Sequence, residues 1–276
     1  MKTQIRQGMP NEDYHAAPGL SASGLKLLAR SPAHFRHAPA VDTEALRFGT
    51  AAHCAVLEPE RFTAEYIAAP EGIDRRTKEG KAAWAEFEER AAGRTILKAE
   101  DYANAVGLAA SVREHPIARR FFTGGKAEQS VFWTERVYYG GDGEMGVLCK
   151  CRPDYVKETE DGPVIVDLKT TRDAGAGKFS RAAYWDYGYH IQAAHYMRGW
   201  RAATKQRPAA FVFVAVEKTS PWAVNVFQAA PDFLAAGAAR CQELYKVYAA
   251  CVERDEWPGY PALTHDLNLP KGADWE

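Results

Sequence analysis

Residues Gly146–Thr171 read GVLCKCRPDYVKETEDGPVIVDLKTT, two apolar runs with acidic and basic residues at their ends. Two apolar-rich runs, Val147–Val156 and Pro163–Lys169, flank the turn signal Glu160-Asp161-Gly162, which is the pattern of a β-hairpin. If Asp161-Gly162 is a two-residue type I′ turn, Tyr155 faces Leu168 and Asp154 faces Lys169, with Asp167 diagonal to it. Side chains alternate along a strand, so Asp154, Asp167 and Lys169 share one face while Leu168 points to the other. The second strand carries Val164-Ile165-Val166, a continuous apolar run expected of a strand covered on both faces. Two readings of this D…DxK pattern stay open: a cross-strand ion pair on a surface hairpin, or a carboxylate pair that holds a metal. Charges at the end of a covered strand are partly desolvated, a cost that magnesium or manganese relieves through hard oxygen ligands. Phosphodiester hydrolysis is the reaction class that uses such a set, with a lysine to orient the attacking water and stabilise developing charge.

Working outward, the chain of 276 residues has room for one large domain or two small ones. Its 46% hydrophobic and 26% charged residues are those of a soluble globular protein with a sizeable core. The net charge of −1 offers no global electrostatic argument for nucleic acid, so any such binding must rest on local patches. The opening MKTQIRQGMPNEDYH has no apolar segment, and no run approaches about 18 apolar residues, so neither secretion by a standard signal nor membrane spanning is expected. Five cysteines, at 54, 149, 151, 241 and 251, predict reduced thiols in a cytoplasm. No GxxxxGK[ST] occurs, which argues against an ATP-driven motor.

In chain order, residues 1–20 read as an arm that orders on contact. Ser21-Ala22-Ser23 offers N-caps for a helix through Leu25-Lys26-Leu27-Leu28, and Ser31-Pro32 restarts a helical turn through His34 and Phe35. Residues 43–57 form a helix with Gly49 and His53 on one face. A helix-interior glycine costs about 1 kcal/mol against alanine, so Gly49 calls for a reason, such as close approach of another backbone. Read alone, His53 is more often a hydrogen-bonded core histidine than a ligand. The loop 70–82 carries Arg75, Arg76, Lys78 and Lys81, a solvated charge cluster or a phosphate-contacting loop, and leads into a helix over 82–92. A helix over 99–115 stops near Pro116, and a strand over 128–138, opening with Glu128, ends at the turn Gly140-Gly141-Asp142-Gly143. A long helix is predicted over 180–203, with Gln192 and Tyr196 stacked on one face. Strands over 209–217 and 222–228 follow, then a helix from Pro231 burying Leu234, Cys241, Leu244, Tyr245, Tyr248 and Val252. The tail from about 255 to 276 is irregular, and without repeats or low-complexity linkers a single domain over 1–276 is expected.

Taken together, Gly49-x-x-x-His53, Asp154, Asp167-x-Lys169 and Gln192-x-x-x-Tyr196 resemble the RecB-like branch of the PD-(D/E)XK nucleases. LSASGLKLLARSPAHF, DRRTKEGKA, CKCRPDYV…VDLKTT and YHIQAAHY look like the RecE (exonuclease VIII) group of phages and prophages. The resemblance implies a restriction-endonuclease-like α/β core, a mixed central sheet flanked by helices. It further implies Mg²⁺-dependent, ATP-independent digestion of linear double-stranded DNA ends, with Mn²⁺ able to substitute. In that family Asp154, Asp167, His53 and the backbone carbonyl of Leu168 would bind metal, with Glu128 in a weaker role. Lys169 would position the attacking water, and Gln192 and Tyr196 would lie near the scissile phosphate. The resemblance also implies 5′→3′ polarity, a 3′ single strand handed to a RecT-like annealing protein, a homo-oligomeric ring, and a bacterial cytoplasm with phage or prophage origin.

Some relatives carry an iron–sulfur cluster on one early and three late cysteines. Cys241 and Cys251 are too widely spaced for that, and Cys149-x-Cys151 reads better as core thiols than as a zinc site, so no cluster is expected. Two other readings compete with the exonuclease. One is a structure-specific or single-strand nuclease working with a helicase; the other is a DNA-end-binding module without catalysis, against which the complete Asp154, Asp167 and Lys169 argue.

Overall fold

The Val-Ile-Val run of the hairpin lies in the interior of a mixed sheet covered on both faces. The computed structural model describes residues 3–39, 42–140 and 143–268. From the N-terminus the elements are β1 (Gln4–Arg6), α1 (Asn11–Ala16), α2 (Ala22–Arg30), α3 (Pro32–Arg36), α4 (Glu44–Leu57) and α5 (Pro59–Glu65). Next come β2 (Tyr66–Ala68), α6 (Lys78–Ala91), β3 (Thr95–Leu97), α7 (Ala99–Glu114) and a 3-10 turn at Ala118–Phe122. β4 (Gly125–Ala127), β5 (Ser130–Tyr139), β6 (Gly143–Cys151), β7 (Tyr155–Lys157) and β8 (Val164–Thr171) form the middle of the chain. α8 (Ala176–Trp185), α9 (Tyr189–Thr204), β9 (Ala210–Glu217), β10 (Val224–Gln228) and α10 (Pro231–Arg254) complete it.

The main sheet has the order β10-β9-β8-β7-β4. β8 and β9 run parallel and the other pairs antiparallel. Alternation along β8 and β9 divides their side chains between two cores. Ile165, Phe211, Phe213 and Ala215 join α2, α8, α9 and α10 on one face, while Val164, Val166, Leu168, Val212, Val214 and Val216 join α4 and α7 on the other. β5 and β6 pair over their whole lengths in a second sheet, with β1 added at its edge. The expected α/β architecture with a mixed, helix-flanked sheet is therefore present.

The hairpin differs from its sequence reading in two ways. Its first run is not one strand: β6 ends at Cys151 in the smaller sheet, the chain bends at Arg152-Pro153-Asp154, and only β7 enters the main sheet. Pro153 restricts the residue before it and donates no ladder hydrogen bond, which accounts for the break. Second, Tyr155 pairs with Val166 and not Leu168, because the connection is longer than two residues. There the Gly162 amide donates to Thr159 O (3.1 Å) and the Thr159 hydroxyl to Gly162 O (2.6 Å). Continued one step, this register sets Asp154 opposite Asp167, not Lys169. The slip of two residues keeps every side chain on its predicted face.

Other boundaries also move. Thr77 accepts from Gly80 N (2.9 Å), so α6 starts at Lys78 and not near Ala82. The helix expected over 180–203 is broken at Asp186–Gly188, where Gly188 takes φ +57°. Glu128 precedes its strand, at φ +52°. On α10, Val252 is exposed while Ala249 and Cys251 are buried. Beyond its own helix and chain neighbours, nothing lies within 4 Å of a Cβ built on Gly49, so among the described residues close approach of another backbone does not account for this glycine. Within the turn closing β5, Gly141 and Asp142 lie outside the described residues, as does the tail from 269. The N-terminal arm is fastened, with the Lys150 ammonium donating to the carbonyls of Tyr14, His15 and Ala17 at 2.9, 3.0 and 2.6 Å.

α9 and α10 approach closely at Gly237, where a Cβ would stand 2.0 Å from His190 O. Gly237→Ala should therefore destabilise the protein by about 1–3 kcal/mol despite alanine's better helix propensity. Gly49→Ala, entering open space, should stabilise it by up to about 1 kcal/mol. Urea denaturation of the two variants checks the contrast.

Candidate active site

The bend at Pro153 carries Asp154 to the open end of β7, beside the β8 edge that β7 no longer covers. Its carboxylate Oδ2 accepts from Leu168 N at 2.7 Å, and its carbonyl accepts from Glu128 N at 3.0 Å. The amide and carbonyl of one strand residue face the same edge, so the Leu168 carbonyl also faces the Asp154 side. Thr43 caps α4, accepting from Leu46 N at 3.2 Å, and this helix sinks Ala52, Cys54 and Val56 into the second core. His53 is left facing the carboxylates, its Nδ1 3.6 Å from Asp154 Oδ2. One potential ligand atom each from His53, Glu128 and Asp154 falls within 4.8 Å of the others.

Asp167 is differently engaged. Its side chain is 1% exposed; one oxygen accepts from Gln192 Nε2 at 2.7 Å, and the other is ion-paired with the Lys169 ammonium. Lys169 Nζ donates to Gln192 Oε1 at 3.2 Å and lies 4.6 Å from the centre of the Tyr189 ring. Gln192 thus bridges the two charged residues from the first turn of α9. Tyr196, one turn later, lines the same groove. The groove holds about 600 Å³ between α2 and α4, and Lys26, Arg61, Lys150, Arg152 and Lys169 line it together with Glu58, Glu128 and Asp154.

The electrostatics follow from this crowding. Burial raises the Asp154 carboxyl above the usual carboxylate range; the His53 imidazole works against that and the Asp167 charge with it. Burial and then the Asp154 charge raise Glu128 likewise, although Arg152 Nε stands 2.8 Å from its Oε2. Burial opposes the charge of Lys169, but Asp167, Tyr189 and Asp154 outweigh it and hold the ammonium above its ordinary value. Donating to Gln192 and paired with Asp167, the Lys169 ammonium is placed as a cationic donor in this site. Burial and the Lys169 charge push Lys26 down to about 8.

Of the residues singled out in the sequence, His53, Glu128, Asp154, Lys169, Gln192 and Tyr196 line this groove, and Asp167 and Leu168 are joined to it through their hydrogen bonds with Gln192 and Asp154. Arg75, Arg76, Lys78 and Lys81 do not line it. Arg76 is held by Asp74 (Nε–Oδ1 3.0 Å), and Arg75 stacks 4.1 Å over Trp84. The five cysteines are buried free thiols, with Cys54 in one core and Cys149, Cys151 and Cys241 in the other. Sequence reasoning passed over Lys26, Arg152 and Tyr189. Arg152 stood in the decisive stretch beside Pro153, whereas no spacing signal marks Lys26 or Tyr189.

The donor set suits a divalent cation: an imidazole and two carboxylates converge, and burial already disfavours the charge on both carboxylates. Among the described residues no helix is long and apolar enough to cross a membrane.

Comparison with known proteins bears on the family and the fold. Over residues 21–264 the chain matches the family model described as a PDDEXK-like domain of unknown function (DUF3799). A crystal structure titled "Putative exonuclease" from Eubacterium rectale shares the fold at TM-score 0.57 and 16% identity, over 96% of each chain. A second structure, that of SSO0001, aligns at TM-score 0.31 and 12% identity over 75% of this chain and 87% of its own, too weakly to carry an argument. No curated protein matches. The motif residues, the mixed sheet that presents them and the match along most of its length make this chain a member of the PDDEXK-like DUF3799 family.

Proposed function

We propose that the chain is a single-domain, divalent-metal-dependent nuclease. In this reading it is an exodeoxyribonuclease that digests linear double-stranded DNA from its ends without ATP. The observation that carries the proposal is the convergence of Asp154, Asp167 and Lys169 at one end of the β7–β8 pair, with His53 and Glu128 closing the groove above them. His53, Glu128 and Asp154 are the residues that would hold the cation, with the Leu168 carbonyl on the same edge; Asp167 contributes from its place beside Lys169. Bound there, Mg²⁺ or Mn²⁺ would offset charge on the phosphate oxygens and acidify a water. Lys169, fixed by Asp167 and Gln192, aims a compact cation at the phosphate and orients the attacking water. Gln192 holds both of those groups in register, and Tyr196 closes the wall near the substrate backbone. Five cationic side chains against three carboxylates in the groove favour a polyanionic substrate.

The finer reading rests on the RecE-like motifs: 5′→3′ digestion, a 3′ strand passed to a RecT-like annealing protein, a ring of identical subunits around the DNA, and a phage or prophage origin in a bacterial cytoplasm. Linear duplex DNA labelled separately at its 5′ and 3′ ends tests both levels. With Mg²⁺ and no ATP, wild-type protein should release the 5′ label first, and Lys169→Ala should lower the rate about 10²–10³-fold. Release of neither label, with DNA still bound, would leave an inert end-binding module; digestion of flaps or single strands in preference to blunt ends would favour a helicase-linked nuclease.

Two further outcomes follow from the site. At a hundredfold excess over Kd, Mg²⁺ should stabilise the wild type by about 2.7 kcal/mol. Asp154→Asn should fold as well as the wild type and lose that gain, as read by thermal melting with and without the cation. If the exposed Lys78 and Lys81 meet phosphates, replacing both with alanine should lower the salt slope of duplex binding by about 0.9 for each phosphate no longer neutralised, leaving the chemical step intact. An unchanged slope would make the loop a solvated charge cluster.

A further inference from the structure

The candidate active-site groove continues past Lys26 and Lys169 into a second, wider groove of about 1040 Å³. It runs between α2 and α10, and one wall is the break between α8 and α9, where Trp185 is 75% exposed and Tyr187 50% exposed. These rings belong to an ordered stack. Tyr187 lies on Tyr189 (centroids 5.2 Å apart, planes at 24°), and Tyr189 lies on the buried Phe213 (5.5 Å, 24°). Trp185 meets Tyr184 edge-on at 4.8 Å, and Tyr184 stacks on His190 at 4.5 Å. The stack touches the catalytic candidates, since the Tyr189 ring has Lys169 Nζ 4.6 Å and Lys26 Nζ 5.5 Å from its centre.

The helix break has a use in this arrangement. Gly188, at φ +57°, turns the chain between the stacked Tyr187 and Tyr189, and a Cβ there would stand 3.3 Å from the Lys26 stem. Charge around the groove is uneven, with Lys26, Arg30, Lys169 and Arg240 against Asp186 and Glu243. Flat rings with a free face in a cationic groove match the chemistry of an unpaired nucleic-acid strand, whose bases stack while its phosphates meet the cations. A duplex keeps its bases internal and has no use for such rings.

We propose that the groove along Tyr187 and Trp185 binds a single nucleic-acid strand by base stacking and connects it to the groove of Asp154 and Lys169. The link to catalysis rests on the nuclease reading above, whereas the stacking site does not. Fluorescence anisotropy of labelled oligothymidylate, oligouridylate and an abasic oligomer of equal length, with full-length protein and no divalent cation, tests it. Wild type should bind the two base-bearing strands more tightly than the abasic one, and the ratio between them identifies DNA or RNA as the preferred source. Trp185→Ala and Tyr187→Ala should each weaken binding of the base-bearing strands about five- to a hundredfold and leave abasic binding unchanged. Tyr187→Leu, which keeps apolar bulk without a flat face, should behave like the alanine variant, and unchanged circular dichroism and melting would show that the variants fold. Equal affinity for abasic and base-bearing strands, or wild-type affinity in all three variants, would overturn the proposal. A protein that digests duplex DNA yet shows no base preference loses the stacking site and keeps the nuclease; one that stacks bases but digests nothing does the reverse.

Discussion

Carboxylates taken out of water at the end of a buried strand govern how the surrounding elements are placed. β8 is covered on both faces, so the groups at its end have little solvent to draw on. Asp167 meets that constraint inside the protein, through Gln192 and Lys169. Asp154 and Glu128 meet it only in part, with Leu168 N, His53 and Arg152 as partners, and both are driven toward the neutral form. Carboxylates left only partly satisfied after folding suit a bound cation, and the cationic side chains around them suit an anionic substrate.

Placing those groups takes more than the hairpin. Pro153 breaks one continuous run into strands of two different sheets, and the break frees the β8 edge at Leu168 for Asp154. α4 brings His53 from the opposite core. α9 brings Gln192 from the first, and its distance from the sheet is governed by packing against α10, where Gly237 admits the His190 carbonyl. The N-terminal arm is held to β6 by Lys150, while Arg152 reaches from the same segment to Met9, Asn11 and Glu128. Order in the arm and the position of Glu128 thus share one side chain.

Much of this was legible from spacing. Alternation along β8 sets Asp167 and Lys169 on one face whatever the register, so the slip from Leu168 to Val166 as the partner of Tyr155 left the candidate site intact. Helical spacing placed Gln192 and Tyr196 together, although the helix around them is shorter than predicted because Gly188 interrupts it. What could not be read was tertiary. The division of labour between Asp154 and Asp167 depends on which neighbours each carboxylate finds, and Glu128 reaches the groove only through a left-handed backbone at its own position. The basic loop was a compositional signal, and composition does not say that Arg76 would be engaged by Asp74.

In crystals soaked in Mn²⁺ and measured at the manganese absorption edge, the anomalous signal locates the ion without reference to any reaction. A peak is expected among His53, Glu128 and Asp154, at coordination distances of about 2.0–2.6 Å for hard ligands of this kind. A peak elsewhere, or none in that groove while Asp154 remains bonded to Leu168 N, would contradict it and leave these carboxylates as a structural network alone.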